Sequence, residues 1–289
     1  MSKVLLFQTD NRMDVDYLGL TKNVNNKIAD YLNNYIVSIQ SLSSHSSSPP
    51  LLQTTPLRGS DVIESLPFED KDDLNNDHIS YSHHFYLMNE KHYMNLHPAT
   101  GKINVVYDLL NGNIIPKVPD PDIIVFLDSD AWIQNPHYLH DLIKRFIESG
   151  KEGCFSRDPY LSRNDYINSG SFIIKNNDYI KTMYKEIQET MQQDNSHHHS
   201  WSYDQYYISK EIFKRKDDFL IFIPHIINTP EGQIIRHHWY KTYTMYSDLY
   251  DLLDENKSFV KPDTPYDFSD KMDDRPYPNP NTYDYEYHR

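Results

Sequence analysis

The sequence predicts a single α/β domain. Short apolar, β-branched runs alternate along the chain with segments of helical period, which is the pattern of a sheet layered with helices. One run, residues 122–127, is apolar almost throughout, as expected of a central strand buried on both faces. The length of 289 residues suffices for one domain with a substantial core.

Residues 3–8 read as a first buried strand and residues 24–35 as the helix that follows it. Residues 38–60 are rich in Ser, Pro and Thr without apolar period and are expected to be a loop insertion. Residues 81–95 and 102–110 are helix candidates, the second with Ile103, Val106, Leu109 and Leu110 at helical spacing. The strand at 122–127 ends in Asp128-Ser129-Asp130. Pro136 then opens a helix to about residue 148, and Gly150 and Gly153 punctuate a short strand at Cys154 and Phe155. A strand at 171–174, helices at 178–192 and 203–213 and a strand at 219–223 complete the pattern. The domain is expected to span residues 1–260. Residues 261–289, rich in Pro, Asp and Tyr, are expected to be a tail draped on the surface or disordered.

No run of 18 or more apolar residues occurs, so a transmembrane segment is not expected. The stretch from Val4 to Phe7 is too short for a signal peptide, and a cytoplasmic location is expected. Cys154 is the only cysteine, which excludes an intrachain disulfide and a thiolate zinc site and fits a reducing compartment. A formal charge of -14 argues against nucleic acid as the main partner. A phosphate-bearing small ligand fits, provided that a divalent cation supplies the missing positive charge.

The strongest chemical signal is the pair Asp128 and Asp130 at the end of the central strand. In open α/β sheets ligands bind beyond the carboxyl ends of strands, where two carboxylates are exposed yet anchored. Hard divalent cations such as Mn²⁺ and Mg²⁺ take oxygen ligands and share themselves between carboxylates and substrate phosphates. The bland alternative is a pair of loop and capping residues. Asn168-Ser169-Gly170 sets polar groups and a permissive backbone before the strand at 171–174, although a turn serves equally. Asp204-Gln205 opens an aromatic-rich helix, where a solvated or capping pair is the ordinary reading. Arg236-His237-His238-Trp239 follows the apolar pair Ile234-Ile235 and places imidazoles where structural histidines are also common. Along a strand His237 and His238 would point to opposite faces, so only one ring should reach an ion. His197, His198 and His199 lie in a segment with no element to hold them and are read as an incidental loop. The aromatic residues at 201–207 and 239–246 could stack on a sugar, core packing being the default.

In their order along the chain, Thr9-Asp10-Asn11, Leu127-Asp128-Ser129-Asp130-Ala131, Asn168-Ser169-Gly170-Ser171-Phe172, Asp204-Gln205 and His238-Trp239 resemble the GT-A glycosyltransferases. Within them the chain is most similar to the retaining fungal and plant galactosyl-, mannosyl- and xylosyltransferases, and more distantly to the glycogenin and lipopolysaccharide galactosyltransferase group. The resemblance covers about residues 3–245 and implies a Rossmann-like nucleotide-diphospho-sugar transferase domain with a mixed, mostly parallel sheet. It implies Mn²⁺ or Mg²⁺ on Asp128, Asp130 and His238, with His237 as the fallback ligand. Thr9, Asp10 and Asn11 would contact the nucleotide, Asn168 and Ser169 would lie near the donor sugar and acceptor, and Asp204 would hold sugar hydroxyls with Gln205 close to the reacting carbon. Lys241 stands where the family has a glycine; a cation there could neutralise the leaving diphosphate, a surface lysine being the alternative.

The activity expected is metal-dependent transfer of a sugar from a nucleoside diphosphate sugar to a glycan or protein hydroxyl, with UDP-sugars favoured; retention is what the resemblance implies. A phosphatase with an aspartyl nucleophile also uses Asp-x-Asp after a strand, but that class places the motif early and has a small Thr or Val shortly after it, whereas here it is mid-chain and position 132 is Trp. A silent nucleotide-sugar-binding protein would keep the fold and lose turnover.

Overall fold

The computed structural model describes residues 2–45, 78–93, 96–159, 166–194, 203–239 and 243–275. Strand β1 (Ser2–Asp10) leads into helix α1 (Asp16–His45) and returns as strand β2 (Ile79–Leu87). Helix α2 (Glu90–Tyr93) and helix α3 (Pro98–Leu110) precede strand β3 (Ile123–Asp128), the short strand β4 (Ala131–Ile133) and helix α4 (Pro136–Ser149). Strands β5 (Gly153–Arg157) and β6 (Ile167–Lys175) follow, then helices α5 (Asp178–Gln193) and α6 (Tyr203–Lys214), strands β7 (Phe219–Phe222) and β8 (Ile235–His237) and helix α7 (Tyr243–Leu253).

Six strands form one sheet in the order β2-β1-β3-β6-β5-β7, and β4 pairs with β8 in a second, two-stranded sheet. In the large sheet β6 runs antiparallel to both neighbours, β3 and β5, whereas the other pairings are parallel. The mixed, mostly parallel sheet expected of the chain is therefore present. Alternation along the strands sends side chains to two separate cores. Val4 and Leu6 of β1 and Ile123, Val125 and Leu127 of β3 pack with α1, α4 and α7. Leu5, Phe7, Ile124 and Phe126 pack with α3, α5 and α6 on the other face. Burial on both faces is why these strands read as unbroken apolar runs.

Local signals place the helices. Asn135 caps α4 by accepting the Tyr138 amide at 3.1 Å, Pro136 occupies its first turn, and Gly150 ends it at φ 68°. Asn177 caps α5 in the same way through Ile180. Helix α3 begins four residues before the expected 102, because His97 caps it through the Ala99 amide and Pro98 follows.

Three expectations are corrected. The helix expected at 81–95 is strand β2 as far as Leu87 and then the single turn α2, because residues 79–87 pair in parallel with the whole of β1. The Tyr and Phe content of that segment suits a strand edge. Helix α1 extends well past residue 35 and takes up the first part of the expected loop; residues 46–60 lie outside the described residues. Part of the expected tail is integrated: Phe268 is buried in the core, Ile223 donates its amide to Lys271, and Asp273 donates its own to Ile221. This segment covers the outer edge of β7. Residues 276–289 lie outside the described residues. Among the described residues no helix is long and apolar enough to cross a membrane.

Candidate active site

A cleft of about 630 Å³ opens at the carboxyl ends of β1 and β3. Thr9 of β1 lies opposite Asp128 of β3 in the parallel register, so both strands deliver their last residues to one edge. Because β6 is antiparallel, its beginning, Asn168, Ser169 and Gly170, reaches the same edge. Helix α3 contributes His97 and Lys102, the end of β5 leads to Asp158, and the first turn of α6 supplies Asp204 and Gln205.

The two-stranded sheet brings in the last component. In it Ala131, the first residue of β4 and next after Asp130, lies opposite His237. One ring nitrogen, Nε2 of His237, lies 3.3 Å from Asp130 Oδ1 and 3.7 Å from Asp128 Oδ2. Asp128, Asp130 and His237 thus offer three ligand atoms within 4.8 Å of one another. Two carboxylate oxygens and one imidazole nitrogen suit a hard or borderline divalent cation such as Mn²⁺ or Mg²⁺. The expectation that His238 would be the nearby ring is corrected by the strand geometry. Alternation turns His238 the other way: its amide donates to the Asp130 carbonyl at 3.0 Å, and its ring stacks on Trp132 with centroids 6.2 Å apart.

Gly170 lets the His237 ring in. A β-carbon on residue 170 would lie 1.9 Å from Cε1 and 2.0 Å from Nδ1 of His237, a distance no real contact reaches. Glycine is needed here because a ring occupies the space, not because of a left-handed backbone. Trp239 packs edge-on against the same ring at 5.1 Å between centroids.

Lys102 lies at the centre of the charge cluster. Its Nζ donates to Asp128 at 3.0 and 3.1 Å and lies 3.0 Å from Asp204 Oδ2 and 3.4 Å from the Ser169 carbonyl. Burial disfavours its charge, but the two carboxylates outweigh that and raise its pKa above the usual lysine value. Burial also pushes Asp128 up to about 6, against the opposing pull of Lys102 and His237. For His237 burial works toward the neutral ring, yet Asp130 and Asp128 prevail and raise its pKa.

The remaining expected site residues line the same cleft, Lys241 and His238 excepted. Lys241, like the histidine run at 197–199 and Trp201, lies outside the described residues. Asp10 accepts the Arg12 amide at 2.8 Å and its guanidinium at 2.9 and 3.0 Å; burial raises its pKa, but these bonds prevail and hold it below the ordinary carboxylate value. Thr9 Oγ1 donates to the Tyr86 carbonyl at 2.9 Å. Ser169 donates to Asp204, and Gln205 donates through Nε2 to Asp158 at 3.2 Å. The other end of that amide, Gln205 Oε1, is buried and accepts no hydrogen bond from the described residues.

Sequence reasoning missed Lys102, Asp158, His97 and Arg12 as lining residues. Lys102 carried a usable signal: it is a cation on the apolar stripe of α3, four residues before Val106, and a buried charge at such a position needs partners. Asp158 follows β5 as Asp128 ends β3, so the strand-end rule covers it equally.

No protein-family model matches the chain, and no curated protein does. Among solved structures it is similar to a glycosyltransferase described as involved in glycosylation of the major capsid of PBCV-1, with 12% identity, 86% of this chain and 98% of that chain covered, and a TM-score of 0.47. The glycosyltransferase GlyE of Streptococcus pneumoniae TIGR4 matches with 10% identity over 86% of this chain and 60% of its own, at a TM-score of 0.44. Mouse xyloside xylosyltransferase 1 matches with 12% identity over 78% of this chain and 85% of its own, at 0.40.

Proposed function

We propose that the chain is a glycosyltransferase that moves a sugar from a nucleoside diphosphate sugar to an acceptor hydroxyl with the help of Mn²⁺ or Mg²⁺. The observation that carries this reading is the meeting of Asp128, Asp130 and His237 in a cleft at the carboxyl edge of the sheet. The donor set fits the ion, which when bound would bind the donor diphosphate and offset charge as it departs.

The chain's own groups divide the remaining work. Thr9, Asp10 and Asn11, at the end of β1, form the wall suited to the nucleotide, with a UDP-sugar as the favoured donor. Lys102 neutralises Asp128 and Asp204 while holding the two ends of the cleft together. Asp204 and Asn168 supply acceptors for sugar hydroxyls. Gln205 is oriented by Asp158 so that its unused carbonyl oxygen is available to a hydroxyl or to developing positive charge at the reacting carbon. Retention rests on the family resemblance; the amide at that place, which is not a nucleophile, argues against a covalent glycosyl-enzyme, and the acceptor is a glycan or protein hydroxyl. Lys241 is kept in the proposal as a neutraliser of the leaving diphosphate. Catalysis then rests on positioning and charge compensation.

Thermal-shift titration with UDP, GDP, CDP and their sugars, each with and without Mn²⁺, tests the reading. One nucleotide is expected to raise the melting temperature only when Mn²⁺ is present; a ligand at about a hundred times its Kd stabilises by roughly 2.7 kcal/mol. The shift should vanish in His237→Ala and persist in His238→Ala. Equal shifts in both variants and the unchanged protein would remove the histidine from the site. Slow, metal-dependent hydrolysis of the same donor separates a transferase from a silent binder.

A further inference from the structure

Outside the cleft, a buried polar group lies behind the turn that carries both aspartates. Gln8 of β1 and Thr21 and Asn25 of α1 are each wholly buried, and none of them lines the cleft. All three point at the backbone of residues 128–133. Gln8 Nε2 lies 3.2 Å from the carbonyls of Asp128 and Ser129 and 3.4 Å from that of Ala131. Thr21 Oγ1 donates to the Ser129 carbonyl at 2.8 Å and lies 3.2 Å from Gln8 Nε2. Asn25 uses both ends of its amide: Nδ2 donates to the Ala131 carbonyl at 3.2 Å, and Oδ1 accepts the Ile133 amide at 3.0 Å. The partners fix which way each amide faces, because a carbonyl can only accept and an N–H can only donate.

Burying three carbonyls of one tight segment requires donors, whether from backbone, side chains or water. Here three side chains from two elements supply them, and they also set where the turn's own side chains go. With the carbonyls of Asp128 and Ser129 drawn toward α1, the carboxylates of Asp128 and Asp130 project to the opposite side, into the cleft. Asn25 further ties down β4, whose pairing with β8 puts His237 opposite Ala131. We infer that Gln8, Thr21 and Asn25 are positioning residues that order all three ligands of the divalent cation from behind, an inference resting on the metal reading of Asp128, Asp130 and His237. Outer partners of this kind commonly change metal affinity about 10- to 100-fold when removed.

The test compares Thr21→Val, which keeps shape and loses the donor, with Thr21→Ser, which keeps the donor. Mn²⁺ affinity is read by electron paramagnetic resonance of the free ion, and amide hydrogen exchange of residues 131–133 is read in metal-free protein. Thr21→Val is expected to bind Mn²⁺ at least about tenfold more weakly and to exchange faster at those amides, with Thr21→Ser near the unchanged protein in both. A folded Thr21→Val with unchanged Mn²⁺ affinity overturns the inference, whatever its exchange rates, because the hydroxyl then only satisfies a carbonyl. If Thr21→Val does not fold, Gln8→Met, similar in length and without donors, carries the same two expectations. Unchanged protein that takes up no Mn²⁺ marks failure of the metal reading instead, and the exchange rates alone then decide whether the three side chains order the turn.

Discussion

Asp130→Asn is expected to reduce Mn²⁺-dependent sugar transfer on the order of a thousand-fold, because it removes a charged oxygen ligand at nearly constant volume. The ion's contribution to charge stabilisation is several kcal/mol, and about 4 kcal/mol corresponds to that factor in rate. The fold should be little affected. Asparagine can still hydrogen-bond to His237 from 3.3 Å, and the turn is held through backbone carbonyls. Stability is therefore expected to change by less than about 1 kcal/mol, the ordinary scale for a partly exposed substitution. Turnover and thermal melting of the same preparation check both halves. Near-normal turnover in saturating Mn²⁺ would show that Asp130 is not a ligand.

Lys102→Met should have the larger effect on stability. The lysine is 6% exposed and lies between Asp128 and Asp204, so its loss leaves the half-buried Asp128 and the buried Asp204 without the cation that pairs with both. Removing one member of a buried ion pair typically costs about 3–5 kcal/mol, which for a chain of this size lowers Tm on the order of 10 °C. Mn²⁺ should return more stability to this variant than to the unchanged protein, because the ion then supplies charge that Lys102 had provided. Melting with and without Mn²⁺ reads both effects. A variant that melts normally, or that gains nothing extra from the ion, would show that the lysine does not balance the cluster.

Much of the layered architecture was legible because it depends on local patterns. Apolar runs marked β1, β3 and β7, and Asn135-Pro136 with Gly150 marked α4 at both ends. Strand β2 was not legible: its Tyr- and His-rich segment acquires strand character from pairing with β1, a contact that sequence spacing does not encode. Within the site, Asp128 and Asp130 were legible from the strand that ends at them. The choice between the two histidines was not, since it depends on the register of β4 against β8 more than a hundred residues apart. Lys102 was hidden for a different reason. Its place on the apolar stripe of α3 signals only that it needs partners, and those come from β3 and α6, which the helix does not name.

The notch at Gly170 links two distant positions in the history open to this chain. While residue 237 is histidine, any side chain at 170 must displace the ring, so each such change carries the loss of a ligand with it. Once the imidazole has been exchanged for something small, the same change at 170 no longer meets the ring. A lineage that abandons the ion can thus fill the notch, after which a simple reversion at 237 no longer restores the cluster, because the ring has nowhere to return. Glycine at 170 is in that sense a one-way door: its retention keeps the cation site recoverable, and its replacement makes the loss hard to reverse.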